Sequence, residues 1–327
     1  MNDETNDSSS SSPSQPRSYS KLDKNDKILL FVITVSITLG IFFPNFGIIF
    51  EPYLLVSLGL LLFLSLLKMN LGELFVQFKN PIPLVIFTAL KLLVIPLVLF
   101  LITSRVYPAL ALPVLLLSGI STGLGAPFVI NVLERSNRLP LVVGSVLVTS
   151  IAVPFVLPSL VYILIDHREF NLPIADMVIL LGSALILPLI GGWAMKQKVP
   201  KLTKKIDTHS FIPSMVLISI INLGIFAKYS DYFFTHSSSM LSMLVASFVL
   251  FFVYGFIGYL SGYILERNDK SFRIAAFVIM SYVNNVLVVV FAARFFGDEI
   301  AALAAFYNLS YYGMIIPLKW LFIDRNR

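Results

Sequence analysis

The run FTALKLLVIPLVLF (Phe87 to Phe100) contains a single charge, Lys91, in otherwise apolar surroundings. An amine in that position can act as a fixed cation for an anion, or as a group that takes up and releases a proton. Two other stretches carry polar chemistry inside apolar sequence. In SGISTGLGAPFVIN (Ser118 to Asn131), Gly123, Gly125 and Pro127 fall within five residues. They weaken or interrupt a helix, because proline lacks an N–H and clashes with the preceding turn. In MSYVNNVLVVVF (Met280 to Phe291), Tyr282 precedes the paired amides Asn284 and Asn285. Amides inside a membrane need partners, which unwound backbone or a bound solute can supply. Asn131, Thr149, Ser150 and Asn308 could line the same cavity. A hydroxyl bonded to its own helix carbonyl accounts equally well for any single Ser or Thr. Gly119/Gly123 and Gly258/Gly262, each four apart, also fit close helix packing.

These residues require long apolar elements to hold them. The 327-residue chain is 57% hydrophobic, only 13% charged, and has a mean hydropathy of +0.87. A soluble domain carries about a quarter charged residues, so the composition is that of an integral membrane protein. The chain has no cysteine, and His167, His209 and His236 lie in loops or at a span edge. With no HExxH or GxxxxGK[ST] present, the sequence carries no motif for an enzyme or an ATPase. No metal, cofactor or nucleic acid is expected. The net charge of +6 is explained by loop lysines and arginines.

A hydrocarbon core of about 30 Å needs roughly 20 apolar residues as helix. Ten segments fit: 28–47, 52–69, 82–104, 109–133, 140–165, 172–196, 211–231, 239–265, 272–296 and 299–323. Eighteen basic residues fall in the N-terminal tail, the alternate loops and the C-terminus, against four on the other side. Both termini are therefore expected in the cytoplasm, with the protein in the plasma membrane. Residues 1–27, serine-rich and of mixed charge, read as a disordered tail with no cleavable signal.

Adding 159 to the residue number carries spans two to five onto spans seven to ten. Arg135 then pairs with Arg294, Pro158 with Pro317, Thr149 with Asn308, and Gly125 with Asn284. Two repeats of five spans, 28–165 and 166–327, must be inverted relative to one another because five is odd. Inverted repeats are a transporter architecture, with the substrate near the midplane where helices break.

LGIFFPNFG (39–47), QFKNPIPLVIFTALKLLVIPLVLF (77–100), VPFVLPSLVYIL (153–164), ILPLIGGWAMK (186–196) and FYNLSYYG (306–313) resemble the bile acid:sodium symporter superfamily. The ordered series is the specific part. The resemblance implies an all-α polytopic membrane protein with ten transmembrane helices in two inverted five-helix repeats. It also implies a core domain moving against a panel domain, with helices 4 and 9 discontinuous where they cross. NNVLVVVFAARFFG is similar to arsenite efflux permeases, which use a helix-4 cysteine absent here, and GAPFV is similar to auxin efflux carriers. The family's sodium ligands fall at Pro127, Phe128, Lys91, Ile279 and Val283, which leaves a hydroxyl at Thr149 or Ser150 and no acid between Arg273 and Asp298.

Lys91 thus occupies the position of a sodium-site glutamine. It lies about nine residues into its span, roughly 13 Å or more from either end, too deep for snorkelling alone. Three roles are open in order: a fixed cation for an organic anion, a proton-coupled lysine, and a structural lysine. The expected function is alternating-access transport of a small organic anion without sodium. The substrate-binding set is Lys91, Gly125, Pro127, Asn131, Thr149, Ser150, Tyr282, Asn284, Asn285 and Asn308. The partners are the substrate, the lipid bilayer and, in the second role, a proton. A conventional sodium symporter, an arsenite or auxin-type permease, and a non-transporting receptor or channel on the same scaffold are the alternatives.

Overall fold

The computed structural model describes residues 24–68, 81–134, 138–165, 172–235 and 237–322. The tail expected to be disordered lies outside the described residues up to residue 23. The described chain is helical apart from one isolated β-bridge. Among the described residues, seven helices are long and apolar enough to cross a membrane, or eight if a pair bent by 43° counts as one span. The protein is a multi-pass integral membrane protein. Side chains such as Phe31, Val106 and Ile264 face outward because hydrocarbon, not water, surrounds the helices.

The elements in order are α1 (Lys24–Phe42), α2 (Leu54–Lys68), α3 (Ile82–Val106), α4 (Ala111–Ser118), α5 (Ala126–Glu134), α6 (Leu139–Leu164) and α7 (Ile174–Lys198). They continue with α8 (Pro200–His209), α9 (Phe211–Lys228), α10 (Ser237–Leu265), α11 (Lys270–Ser281), α12 (Asn285–Phe295), α13 (Asp298–Gly313) and α14 (Ile315–Phe322). The apolar segments 109–133 and 272–296 are each divided, into α4 and α5 and into α11 and α12. Segment 299–323 is bent between α13 and α14.

Packing sorts the helices into two groups. In one, α1 packs on α9 and α2 on both α7 and α9; in the other, α10 packs on α11 and α13, and α6 on α3, α5 and α11, while α6 also packs on α7 and joins the two. The first break follows from local chemistry. Gly119 ends α4, and Pro127 is tolerated only in the first turn of a new helix, where its missing N–H is not needed. α3 carries a π-turn over Leu90–Val94, where the Ile95 N–H reaches back to the Leu90 carbonyl. Pro96 follows and has no N–H to give, so the α-ladder cannot continue in register. Lys91 stands in that widened turn.

Candidate functional site

The two breaks cross and bond to each other through backbone. The Gly123 N–H donates to the Tyr282 carbonyl at 2.6 Å, and the Asn284 N–H to the Ser121 carbonyl at 2.9 Å. They form an antiparallel bridge centred on Thr122 and Val283. A side chain at residue 123 would block this approach, since its Cβ would lie 2.5 Å from the Val283 carbonyl oxygen. Gly125 is held free of a side chain for a similar reason, with the Tyr311 hydroxyl lying where a Cβ would go.

The break leaves the last carbonyls of α11 without helical partners, and side chains from three other elements supply donors. The Thr122 hydroxyl donates to the Ile279 carbonyl at 3.1 Å. The Lys91 ammonium donates to the Met280 carbonyl at 2.9 Å. The Tyr307 hydroxyl donates to the Ser281 carbonyl at 2.6 Å. Lys91 is only 2% exposed, and its recorded partner is a neutral carbonyl. The negative end of the α11 dipole favours a cation there, by up to ~2 kcal/mol where the site is buried. Thr149 Oγ accepts from the Thr122 N–H at 3.0 Å while donating to the Ser145 carbonyl at 2.6 Å. It is therefore a brace for the first break.

The opposite polarity faces a cavity of about 310 Å³ between the two helix groups. Its floor is the crossing, at Gly123, Gly125, Val283, Asn284 and Asn285, where the N-termini of α5 and α12 begin. Its walls are largely apolar, including Leu58, Ile218, Phe128 and Ile315, with Tyr311 and Tyr312 beside the floor. It extends to Asn25 and Asp26 at the start of α1 and to Phe211 at the start of α9. Asn284 and Asn285 are 3% and 4% exposed, and the amide nitrogen of each is buried with no hydrogen-bond partner. Asn284 is the N-cap of α12, yet its side chain makes no capping bond. Two asparagines with unpartnered buried amides and two positive helix ends thus border one mostly apolar cavity.

At the far end of α9 the two groups are pinned together. Lys228 bonds Glu51 at 3.0 Å, in the turn before α2, and Asp298 at 2.8 Å, the first residue of α13. Phe211 and Lys228 are 17 residues apart on one helix, about 25 Å. The groups are thus bridged on the side opposite the cavity, where a second cavity of about 310 Å³ borders the bridge between Leu54–Leu55 and Val289–Val290. On the cavity side, Arg138 before α6 bridges Glu266 at 2.8 Å and Asp269, and stacks over Phe272. Asp269 also caps α11 through the Phe272 N–H. Its partial burial works against ionisation, but Arg138 and the capping amides outweigh it and hold the carboxyl below its usual range.

Of the sequence-derived candidates, Gly125, Asn284 and Asn285 line the cavity. Lys91, Pro127, Thr149, Ser150, Tyr282 and Asn308 do not, although all but Pro127 are buried around the crossing. Asn131 is exposed and lies away from the cavity. The Ser150 and Tyr282 hydroxyls and the Asn308 Oδ1 are buried without a partner. Sequence reasoning missed Thr122, Tyr307 and Tyr311. Thr122 lies within the quoted STGLG run, and both tyrosines lie within FYNLSYYG, so polar residues in those runs were the available signal.

A comparison with curated proteins gives no match. The family model of the sodium bile acid symporter family matches residues 55–237, more than half of the chain. That interval spans α2 to α9 and includes Lys91, the first break and Thr149. The chain belongs to the sodium bile acid symporter family.

Proposed function

We propose that this membrane protein is a secondary transporter of an amphipathic organic anion, such as a carboxylate, sulfonate or steroid conjugate, working by alternating access. One observation carries the reading: Asn284 and Asn285, whose amide nitrogens are buried without a partner, border the floor of an apolar cavity. A buried donor left unmade costs about 1–3 kcal/mol, so the site favours a ligand that brings acceptors. The apolar walls favour a ligand with a hydrophobic body. A cavity that ends at the crossing, with the two groups bridged by Lys228 on the other side, suits the inward-facing state of such a cycle.

Ten spans in two inverted five-helix repeats, 28–165 and 166–327, belong to this reading. It is supported by helix ends that coincide under the offset of 159. Val106, Ala111, Ala126 and Leu139 map to Leu265, Lys270, Asn285 and Asp298, all of them helix boundaries of the same kind. The two packing groups serve as panel and core, in a plasma membrane with both termini cytoplasmic.

Lys91 takes part without lining the cavity. Its ammonium occupies a carbonyl cluster, so it serves as a tethered cation where relatives would use a mobile one, and transport is independent of sodium. Proton coupling through Lys91 is the second reading, favoured because its recorded partner carries no negative charge. Pro127, Thr149, Ser150, Tyr282 and Asn308 shape the crossing and its polar surroundings.

Purified protein in proteoliposomes tests this with labelled taurocholate, estrone sulfate and short aliphatic carboxylates as probes. Saturable counterflow of at least one in sodium-free potassium buffer is expected. Counterflow that appears only with sodium sinks the tethered-cation reading. No saturable flux of any probe, or a non-saturating ion conductance, sinks the transporter reading.

A further inference from the structure

A second cleft, of about 500 Å³, lies apart from the crossing and has a different chemistry. Its walls come from α2 (Leu66), α6 (Ile151) and α7 (Ile186, Ile190, Trp193), and its lining is apolar except for Lys196. Ile151, Ile190 and Trp193 are more than half exposed, so the cleft opens sideways toward the surroundings of the helices, not into the protein. Those surroundings are hydrocarbon. From Ile186 to Lys196 is ten residues of helix, about 15 Å, or half of a ~30 Å hydrocarbon core. The cleft is one leaflet deep, with a cation at headgroup level.

The charge continues past Lys196. Lys198, Lys201, Lys204 and Lys205 follow within nine residues, and Asp207 is the one acid of α8. The buried Thr203 ties this helix to the end of α7, its hydroxyl reaching the Met195 carbonyl at 3.2 Å. The basic helix is thereby fixed next to the cationic end of the cleft. A basic patch beside an intramembrane groove on the positive-inside face is the arrangement that selects anionic headgroups.

We infer that the α2–α6–α7 cleft is a binding site for an anionic phospholipid, with an acyl chain along Ile186–Trp193 and the phosphate at Lys196 and the start of α8. α6 and α7 pack directly on each other and α2 packs on α7, so the lipid lies along that three-helix contact. The inference does not depend on what the protein transports.

The protein has two tryptophans, Trp193 in the cleft and Trp320 on α14, so Trp320→Phe leaves one reporter in the site. Quenching of Trp193 is measured in proteoliposomes containing brominated phosphatidylglycerol or brominated phosphatidylcholine at equal mole fraction. One lysine near the membrane surface is worth about 1 kcal/mol for an anionic lipid, so about a fivefold preference for phosphatidylglycerol is expected. Lys196→Gln should bring the ratio close to one, and Ala152→Phe, which fills the cleft, should lower quenching by both lipids. An equal response in the Lys196 background overturns the site, as does a preference that survives Lys196→Gln. A preference lost only when Lys201, Lys204 and Lys205 are neutralised would assign it to the surface helix and overturn the cleft. Millimolar inorganic phosphate should leave the ratio unchanged; suppression by it would mean a free-anion site and overturn the lipid.

Discussion

Replacing Lys91 by alanine discriminates most sharply among the roles of this buried charge. The change removes the donor to the Met280 carbonyl and leaves space beside the carbonyl end of α11. The carbonyls of Ile279 and Ser281 keep their partners, Thr122 and Tyr307, so one acceptor is left unmade. That loss costs about 1–3 kcal/mol, before any cavity term. If the ammonium stands in a cation's place, sodium can enter the vacated position. At a hundred times its dissociation constant it would return ~2.7 kcal/mol, nearly offsetting the loss. The assay is thermal unfolding of purified protein in detergent, in sodium against potassium at equal ionic strength. Wild type should unfold at the same temperature in both. Lys91→Ala should be destabilised in potassium and recover most of the difference in sodium. Equal unfolding of the variant in both salts would refute the tethered-cation reasoning, and so would sodium stabilisation of wild type.

Other perturbations address separate parts of the architecture. Asn284→Leu and Asn285→Leu remove unpartnered amides, so unfolding should hardly change. Each should raise the KM of a transported anion about tenfold or more, since a hydrogen bond to a charged group is worth about 1.5–3 kcal/mol. Unchanged flux would remove these amides from the site. Gly123→Ala forces a Cβ against the Val283 backbone and should cost about 1–3 kcal/mol in unfolding measurements, whereas Gly182→Ala, with nothing within 4 Å, should be neutral or stabilising. Asp269 has a lowered pKa in the fold, so its contribution is complete above the unfolded value of about 3.9 and is lost as pH falls through the folded one. Asp269→Asn should therefore flatten the acid limb of stability against pH, and an unaltered limb would count against the Arg138 cluster. Asp298→Asn loosens the Lys228 pin across the seam. In this cysteine-free chain, a cysteine at Val290 beside that seam should react faster with an impermeant thiol reagent once the pin is loosened.

Class and element positions were legible because a membrane imposes composition along the chain. Length, apolarity and the distribution of lysine and arginine need no tertiary partner to be read. Pro127 marked an interruption, since proline is resisted deep in a helix, and the structure seats it in the first turn of α5. The depth of Lys91 in its span was readable, but its partner was not. Met280 lies 189 residues away, and a backbone carbonyl carries no residue-type signal. For the same reason the hydroxyls of Thr122 and Tyr307 looked no different from other polar residues in their runs.

The sequence by itself determined that this chain spans a membrane repeatedly, that an apolar run is weakened near Gly123–Pro127, that paired amides stand inside another, and that a lysine lies deep in a third. Only the tertiary structure decided which end of each broken helix faces what. The carbonyl end of α11 turns to Lys91, Thr122 and Tyr307, while the amide ends of α5 and α12 turn to the cavity. Helix polarity is common to every helix, so its direction acquires chemical meaning only when folding sets two broken ends against each other.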